Sequence, residues 1–228
     1  MIDPGLLESV RAGDRRALAR AISLAEAGAT LDTVAAPGRR VVGITGPPGA
    51  GKSTLVDAIV RMLRQRGETV AVLAVDPSSP KTGGAILGDR IRMQEHTGDD
   101  GVYIRSMANR GHMGGLAPAA AAALKLMALA GFDRLIVETV GVGQSEVDVM
   151  NVADVVVLVL TPAWGDDVQA DKAGILEVAD IVVVNKADRP GADEVRRALN
   201  SAAEDHGFEV LVTSAATGEG VADLVERL

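Results

Sequence analysis

Short apolar runs alternate with longer amphipathic stretches along most of this chain. Seven runs rich in Val, Ile and Leu predict β-strands, at Arg40–Thr45, Thr69–Asp76, Val102–Arg105, Arg134–Glu138, Val155–Leu160, Ile181–Asn185 and Glu209–Thr213. Several of these runs are apolar at every position rather than at alternate positions, which is typical of parallel strands buried on both faces. The pattern therefore indicates a mostly parallel sheet.

Apolar residues at helical spacing fill most of the intervals between these runs. They predict helices over Lys52–Arg66, Pro118–Ala130, Ser145–Val152, Val168–Ala179, Asp193–His206 and Val221–Leu228. A further apolar stripe over Leu6–Glu26 predicts one or two N-terminal helices, with a break near Gly13 and Asp14. Strands separated by helices give a doubly wound α/β fold with helices on both faces, which binds ligands at the carboxyl ends of its strands. We divide the chain into an N-terminal helical segment and linker over 1–38 and the α/β domain over 39–228.

Composition excludes several classes of function. The chain is 47% apolar, yet no apolar run approaches the roughly 18 residues of a membrane span, and the first residues lack the pattern of a secretory signal. There is no cysteine, which excludes disulfides and thiolate metal sites and favours a cytoplasmic protein. The net charge is −8, and the arginine clusters lie on predicted helices between apolar positions. Neither a nucleic acid nor a membrane is therefore an expected partner.

One segment carries a complete phosphate-binding pattern between a predicted strand and a predicted helix. Its residues are Gly46, Pro47, Pro48, Gly49, Ala50, Gly51, Lys52 and Ser53, followed by Thr54. Glycines let backbone N–H groups converge on a phosphate, and the N-terminus of the following helix adds the positive end of its dipole. Lys52 places a positive charge against the β- and γ-phosphates, and the Ser53 hydroxyl can bind Mg²⁺. The segment predicts that the α/β domain is a P-loop NTPase.

A second motif, an Asn-Lys-x-Asp tetrapeptide that follows a later apolar run, indicates the base. The Asp188 carboxylate can accept hydrogen bonds from guanine N1–H and the exocyclic amine, whereas adenine has no donor at N1. Asn185 can connect the base edge to the P-loop, and the stem of Lys186 can lie over the ring. After the last strand, Ser214 and Ala215 are expected to supply a backbone N–H group toward guanine O6. GTP and GDP are therefore the predicted ligands.

Acidic residues after other predicted strands indicate where metal and water are held. Glu138 stands where many GTPases have the Asp of an Asp-x-x-Gly motif. Its carboxylate is expected to hold Mg²⁺ directly or through water, and the Gly141 N–H to contact the γ-phosphate. Asp76, at the end of a predicted strand, and Asp89, in a glycine-rich stretch, are placed to orient water or to hold a metal-bound water. Lys52, Asp76 and Glu138 are the predicted catalytic residues.

Four stretches, Val75–Ser79, Gly83–Arg90, Glu138–Glu146 and Val184–Arg189, share the pattern of one known family. Together they resemble the MeaB/ArgK (MMAA-type) group of P-loop GTPases, which carries Glu for Asp in the third nucleotide motif. Members of this group are chaperones of adenosylcobalamin-dependent acyl-CoA mutases such as methylmalonyl-CoA mutase. The resemblance covers about residues 6–228. It implies that GTP binding and hydrolysis gate cofactor loading and protect the mutase, with no cobalamin bound directly by the GTPase.

The resemblance also implies roles for single residues. It implies Mg²⁺ contacts for Ser53, Asp76, Asp89 and Glu138. It implies that the loop beginning at Gly165 relays the nucleotide state to the mutase, with switch residues at Asp166, Asp167, Gln169 and Lys172. Relatives usually carry a C-terminal helical arm that builds a homodimer, whereas this chain stops at Leu228 at the end of the last predicted helix. The resemblance implies a possible homodimer, and the oligomeric state stays open.

Other classes of function also remain open at this point. A metallochaperone GTPase for metal-centre assembly would need Cys and His ligands near the nucleotide, but the sequence has no cysteine and three separated histidines. A small-molecule kinase on a P-loop scaffold agrees less well with a guanine-specific motif. We expect hydrolysis that is slow alone and faster with a partner, because no arginine is clearly directed at the γ-phosphate. Arg90, Arg105 and Arg110 are the candidates.

Overall fold

The seven predicted strands are present and form one parallel sheet. The computed structural model describes residues 1–31, 38, 40–77, 96, 98–109, 116–139, 150–164 and 176–228, with the backbone alone at 76, 77, 108, 109, 116, 117 and 164. The strands are β1 (Val41–Thr45), β2 (Val70–Pro77), β3 (Val102–Asn109), β4 (Arg134–Thr139), β5 (Val155–Leu160), β6 (Ile181–Val184) and β7 (Glu209–Val212). Their order across the sheet is β3-β2-β4-β1-β5-β6-β7, and every neighbouring pair is parallel. The predicted α/β fold is confirmed.

Helices precede, connect and follow these strands. Those delimited within the described residues are α1 (Pro4–Arg11), α2 (Arg15–Glu26), α3 (Lys52–Gln65), α4 (Leu116–Leu129), α5 (Ala192–His206) and α6 (Val221–Val225). The N-terminal apolar stripe forms two helices because the carboxylate of Asp14 accepts from the N–H groups of Arg16 at 2.7 Å and Ala17 at 3.1 Å, which caps α2. The helices predicted at Ser145–Val152 and Val168–Ala179 fall largely on 145–149 and 168–175, outside the described residues.

Several element boundaries differ from the predictions. β3 continues to Asn109 because it pairs with β2 along its whole length, up to the partners Pro77 and Asn109. α4 begins at Leu116, ahead of Pro118, because the first turn of a helix makes no use of the N–H group that proline lacks. In the described part of the chain, no helix combines the length and the apolar character needed to cross a membrane.

Both faces of the sheet are covered by apolar layers. On one face α3 and α6 pack against the central strands, with Leu55, Ile59 and Leu224 in the same cluster as Ile44 of β1. On the other face α1, α2 and α4 pack against β2 and β4, while α5 covers β6. The N-terminal helices therefore belong to the main core, since Ile22 of α2 is fully buried there.

Aspartates that directly precede three strands fix the amino ends of the sheet. Oδ2 of Asp154, ahead of β5, accepts from the N–H of Val41 at 2.7 Å. Oδ2 of Asp180, ahead of β6, accepts from the N–H of Val156 at 2.7 Å. Asp133, ahead of β4, accepts from both the N–H and the hydroxyl of Thr69. Each aspartate thus satisfies a backbone donor near the start of the neighbouring strand, which sets the register at the edge opposite the P-loop.

Candidate nucleotide-binding site

The P-loop runs from β1 to α3 through two positions that leave no space for a side chain. Gly46 has a φ of 144°, and a Cβ built on it would lie 2.2 Å from the carbonyl oxygen of Val159 in β5. Gly51 has a φ of 91°, and its Cβ would lie 2.5 Å from Nδ2 of Asn185. Both positions therefore require glycine, and the loop packs closely against β5 and the end of β6.

Lys52 is the first residue of α3, and its ammonium group contacts the loop. The residue is 5% exposed, and Nζ donates to the carbonyl oxygens of Gly46 at 2.8 Å and Pro47 at 3.0 Å. A buried positive charge at the N-terminus of a helix attracts phosphate. The phosphate contact of Lys52 stays a prediction, which this geometry supports.

Ser53 and Glu138 meet at the carboxyl edge of the sheet. The Ser53 hydroxyl donates to Oε1 of Glu138 at 2.7 Å, and both residues are buried. A hydroxyl and a carboxylate oxygen in contact are hard ligands that suit Mg²⁺, which usually binds one or two protein oxygens and completes its shell with water and phosphate. The donor set at this point therefore fits Mg²⁺.

A pair of threonines joins the carboxyl ends of β1 and β4. The Thr139 hydroxyl donates to the Thr45 hydroxyl at 3.0 Å, and both residues are fully buried. β1 and β4 are in register up to Ile44 and Glu138, so the two threonines lie directly opposite each other. The pair connects the residue before the P-loop with the residue after Glu138.

Asn185 joins three segments of the site. Its Nδ2 donates to the carbonyl oxygen of Ala50 in the P-loop at 2.9 Å. Its Oδ1 accepts from the Thr213 hydroxyl at 3.1 Å and from the Ala215 N–H at 3.0 Å. The residue is 1% exposed, so its carboxamide holds the P-loop, the end of β6 and the segment after β7 together.

Lys186 crosses from the base side of the site to the P-loop. Among the described non-glycine residues it alone has a positive φ, at 61°, a conformation that is uncommon for a side chain of this size. Its Nζ donates to the carbonyl oxygen of Gly49 at 2.6 Å. The stem of Lys186 therefore lies along the edge of the loop, where the sequence predicts the guanine ring.

Asp188 is held by the segment that follows β7. The Ser214 hydroxyl donates to Oδ1 of Asp188 at 2.8 Å, and Asp188 is exposed. This hydrogen bond lowers the pKa of the Asp188 carboxyl below its usual range. Asp188 is therefore a charged acceptor at neutral pH, as recognition of guanine requires.

The amides assigned to guanine O6 have acceptors within the protein. The Ser214 N–H donates to the carbonyl oxygen of Glu219 at 3.0 Å, and the Ala215 N–H donates to Oδ1 of Asn185. A contact from Ala215 to O6 would share its hydrogen with Asn185. The assignment of Ser214 and Ala215 stays a prediction.

Other predicted site residues lie where little or nothing is described. The backbone of Asp76 lies in β2, in register with Ala108 of β3, and its side chain is outside the described part of the chain. Six further predicted residues fall outside the described ranges: Asp89, Gly141, Asp166, Asp167, Gln169 and Lys172. Their metal, γ-phosphate and switch roles remain predictions.

Arg105 is directed away from the P-loop. Its Nη2 donates to Oε2 of Glu26 at 2.6 Å and to the Ser23 hydroxyl at 2.9 Å, both on α2. β2 and β4 lie between its strand, β3, and β1. Arg105 is therefore a poor candidate for an arginine that stabilises the γ-phosphate. Arg90 and Arg110 lie outside the described residues.

Sequence reasoning missed three threonines that support the site. Thr45 and Thr139 form the hydroxyl pair, and Thr213 bonds to Asn185. Each stands at or directly after the carboxyl end of an apolar run. A threonine in that place, in a chain with a P-loop, is the signal that could have identified them.

The fold and the site together define the class of this protein. A P-loop between β1 and α3, a glutamate beside its serine and an Asn-Lys-x-Asp turn tied to the loop are the combination found in P-loop GTPases. The described chain brings these three motifs together at the carboxyl edge of one parallel sheet.

Comparisons with known proteins identify the family. Residues 18–228 match the family described as "Methylmalonyl Co-A mutase-associated GTPase MeaB", and the chain belongs to this family. It is 50% identical over 239 residues to a Pyrococcus horikoshii protein named "Putative GTPase", covering 98% of this chain and 75% of that protein. It is 41% identical over 197 residues to the mouse "Methylmalonic aciduria type A homolog, mitochondrial", covering 82% of this chain and 48% of the mouse protein.

A solved structure supports the same assignment. The crystal structure titled "LAO/AO transport system kinase" superposes with a TM-score of 0.72 at 28% identity. The superposition covers 100% of this chain and 75% of that one. The likeness therefore extends over the sheet, the P-loop and the N-terminal helices.

Proposed function

We propose that this protein binds GTP with Mg²⁺, hydrolyses it to GDP and phosphate, and thereby gates cofactor loading of an adenosylcobalamin-dependent acyl-CoA mutase. The observation that carries the proposal is the convergence of Lys52, the Ser53–Glu138 pair and Asp188 at one edge of the sheet. A phosphate site, a metal-binding donor pair and a guanine acceptor are the parts that GTP hydrolysis needs.

The phosphate end of the site supplies charge and position. The N–H groups of the P-loop and the ammonium of Lys52 hold the β- and γ-phosphates, and the dipole of α3 adds to their attraction. Ser53 and Glu138 would hold Mg²⁺, which neutralises negative charge on the phosphates when it is bound. Asp76 and Asp89 are proposed to orient the attacking water or a metal-bound water, and Gly141 to contact the γ-phosphate.

The base end of the site selects guanine. The Asp188 carboxylate accepts from N1–H and the exocyclic amine, and its bond from Ser214 holds it in place. Lys186 covers one side of the ring position and is anchored on Gly49. Because adenine has no donor at N1, ATP would leave the carboxylate facing an acceptor.

A partner is proposed to complete the catalytic site. Arg105, one of the three candidate arginines, pairs with Glu26 and is directed away from the P-loop. We propose that the chain hydrolyses GTP slowly until a mutase adds a contact or reorders the proposed switch residues Asp166, Asp167, Gln169 and Lys172. The family description names methylmalonyl-CoA mutase, which supports a mutase of this type as the client. We further propose a cytoplasmic homodimer that binds no cobalamin itself.

A metallochaperone role has less support. Of the three histidines, His96 bonds to Asp57 of α3 at 2.9 Å, and His206 stacks on Phe208 at the end of α5. These two lie on different elements, and the sequence has no cysteine to join them. The mutase role is therefore the function that the site supports best.

Hydrolysis and capture experiments test the proposal together. GTP turnover by the purified protein should be slow and should rise at least about tenfold with a methylmalonyl-CoA mutase. Immobilised mutase should capture different amounts of the protein in GDP and in a non-hydrolysable GTP analogue. Lys52→Ala is the control, because a variant without tight nucleotide binding should be captured equally in both. Fast turnover without a partner, or equal capture of the wild-type protein in both nucleotides, would contradict the proposal.

A further inference from the structure

The end of β4 directs two consecutive polar side chains to opposite faces of the sheet. Ile136 packs in the α3 cluster and Val137 in the α4 cluster, so the strand alternates between the two faces. Glu138 follows on the α3 face, where it meets Ser53, and Thr139 follows on the α4 face. Both residues are buried, at 1% and 0% exposure.

The strand end is therefore held on both faces. On one face the Ser53 hydroxyl bonds to Glu138 at 2.7 Å, and on the other the Thr139 hydroxyl bonds to Thr45 at 3.0 Å. Thr45 is the last residue of β1 and directly precedes Gly46 of the P-loop. The backbone pairing of β4 with β1 runs up to Ile44 and Glu138, and these two side-chain bonds add one restraint on each face at the point where that pairing ends.

The neighbouring strand on the other side, β2, offers the Thr139 hydroxyl no side-chain partner. On the side away from β1, Thr139 is in register with Val75 of β2, whose side chain offers no hydrogen bond. A buried hydroxyl is costly without a partner, so the Thr139 hydroxyl is directed toward Thr45. The direction of Glu138 is thereby linked to the residue that starts the P-loop.

We propose that Thr139 is a positioning residue for the metal-binding carboxylate: its bond to Thr45 keeps Glu138 facing Ser53. The inference rests on the proposed Mg²⁺ and GTP site. Without the bond, the end of β4 samples orientations in which the carboxylate has left Ser53. The loss of one hydrogen bond of this kind corresponds to about a fivefold weakening of Mg²⁺-dependent binding.

The first test measures the Mg²⁺ concentration that half-saturates binding of a fluorescent GTP analogue. Thr139→Val keeps the shape and removes the hydroxyl, so its half-saturating Mg²⁺ concentration should rise about fivefold. Nucleotide binding in EDTA should stay within about twofold of wild type, because the P-loop and Asp188 are unchanged. Thr139→Ser, which keeps the hydroxyl, should restore the wild-type value.

Control and reciprocal variants exclude a merely structural effect. Thr161→Val removes a buried threonine hydroxyl directly after β5 and should leave the Mg²⁺ dependence unchanged. Thr45→Val removes the acceptor and should give the same shift as Thr139→Val, so the idea stays testable if one variant fails to fold. In nucleotide-free protein, urea unfolding of the two single variants and the double variant should show that their effects are not additive.

The outcomes separate this inference from the proposed function. If Thr139→Val loses stability but keeps the wild-type Mg²⁺ dependence, the positioning role is overturned and the proposed function stands. If wild-type protein binds the GTP analogue equally with and without Mg²⁺, the proposed metal site fails and the positioning role fails with it. If the half-saturating Mg²⁺ concentration rises in Thr139→Val and Thr45→Val but not in Thr139→Ser, the positioning role of Thr139 is supported.

Discussion

Replacement of Asn185 by Ala tests whether this residue holds the site together before any nucleotide binds. The side chain makes three hydrogen bonds, to the Ala50 carbonyl oxygen, the Thr213 hydroxyl and the Ala215 N–H. All three are buried, so their loss leaves polar groups without partners. At about 1 kcal/mol of net stability for each bond, Asn185→Ala should lower the free energy of unfolding by about 3 kcal/mol.

Two further variants show whether the loss of stability follows the number of hydrogen bonds removed. Thr213→Val removes one of the three bonds and should cost about 1 kcal/mol. Lys186→Ala is the matched control, because the neighbouring side chain is only partly buried and makes a single described bond, to Gly49. Its replacement should change the free energy of unfolding by less than about 1 kcal/mol.

The assay is urea unfolding followed by circular dichroism without nucleotide, since bound nucleotide would add its own stabilisation. A loss of about 3 kcal/mol corresponds to a midpoint lower by about 1 M urea. Equal midpoints for Asn185→Ala and wild type would refute the reasoning. So would a loss in Thr213→Val as large as that in Asn185→Ala.

Three further predictions concern nucleotide binding. Asp188→Asn should lower GTP affinity at least about tenfold and allow xanthosine triphosphate to bind, because an amide can donate to the oxygen at C2 of xanthine. An unchanged base preference in competition binding would show that Asp188 does not contact the base. Ser214→Ala should raise the pKa of the Asp188 carboxyl toward its usual range, because Ser214 is the main cause of the lowered pKa. On acidification, the variant should therefore lose GTP affinity at a higher pH than the wild-type protein does. The lowered pKa keeps the Asp188 carboxylate charged to a lower pH, so GTP affinity is lost only as pH falls through the pKa of Asp188 in the folded protein. Identical pH profiles of GTP affinity for the variant and the wild type would contradict the prediction. Lys52→Ala should abolish tight GDP and GTP binding in calorimetry, and undiminished affinity would exclude its phosphate role.

Most of the sheet could be predicted because its strands are buried on both faces. β5 and β6 are apolar at every position, and short apolar runs of this kind with helices between them are typical of the central strands of a parallel sheet. The ends of strands were less predictable where pairing with a neighbouring strand decides them. β3 extends beyond Arg105 only because β2 offers partners as far as Pro77.

Some residues of the site could also be predicted from the sequence, and others could not. The P-loop, Glu138 and the Asn185 turn could be identified because each motif is local and stands after an apolar run. The threonine pair could not, because Thr45 and Thr139 are 94 residues apart in the sequence and become neighbours only through the β1–β4 register. The aspartates ahead of β4, β5 and β6 were missed for the same reason, since each serves a neighbouring strand.

The N-terminal helices protect the end strand β3 of the sheet. Arg15 of α2 donates to the carbonyl oxygen of Val102 at 2.7 Å, and Arg105 of β3 is held by Glu26. The backbone of an end strand can pair with a strand of another molecule, and bound arginines make such pairing costly. A version of the chain that starts at residue 39 would uncover this strand and the apolar surface beneath Ile22. Aggregation during expression would then be the first consequence of its removal, ahead of any effect on the nucleotide.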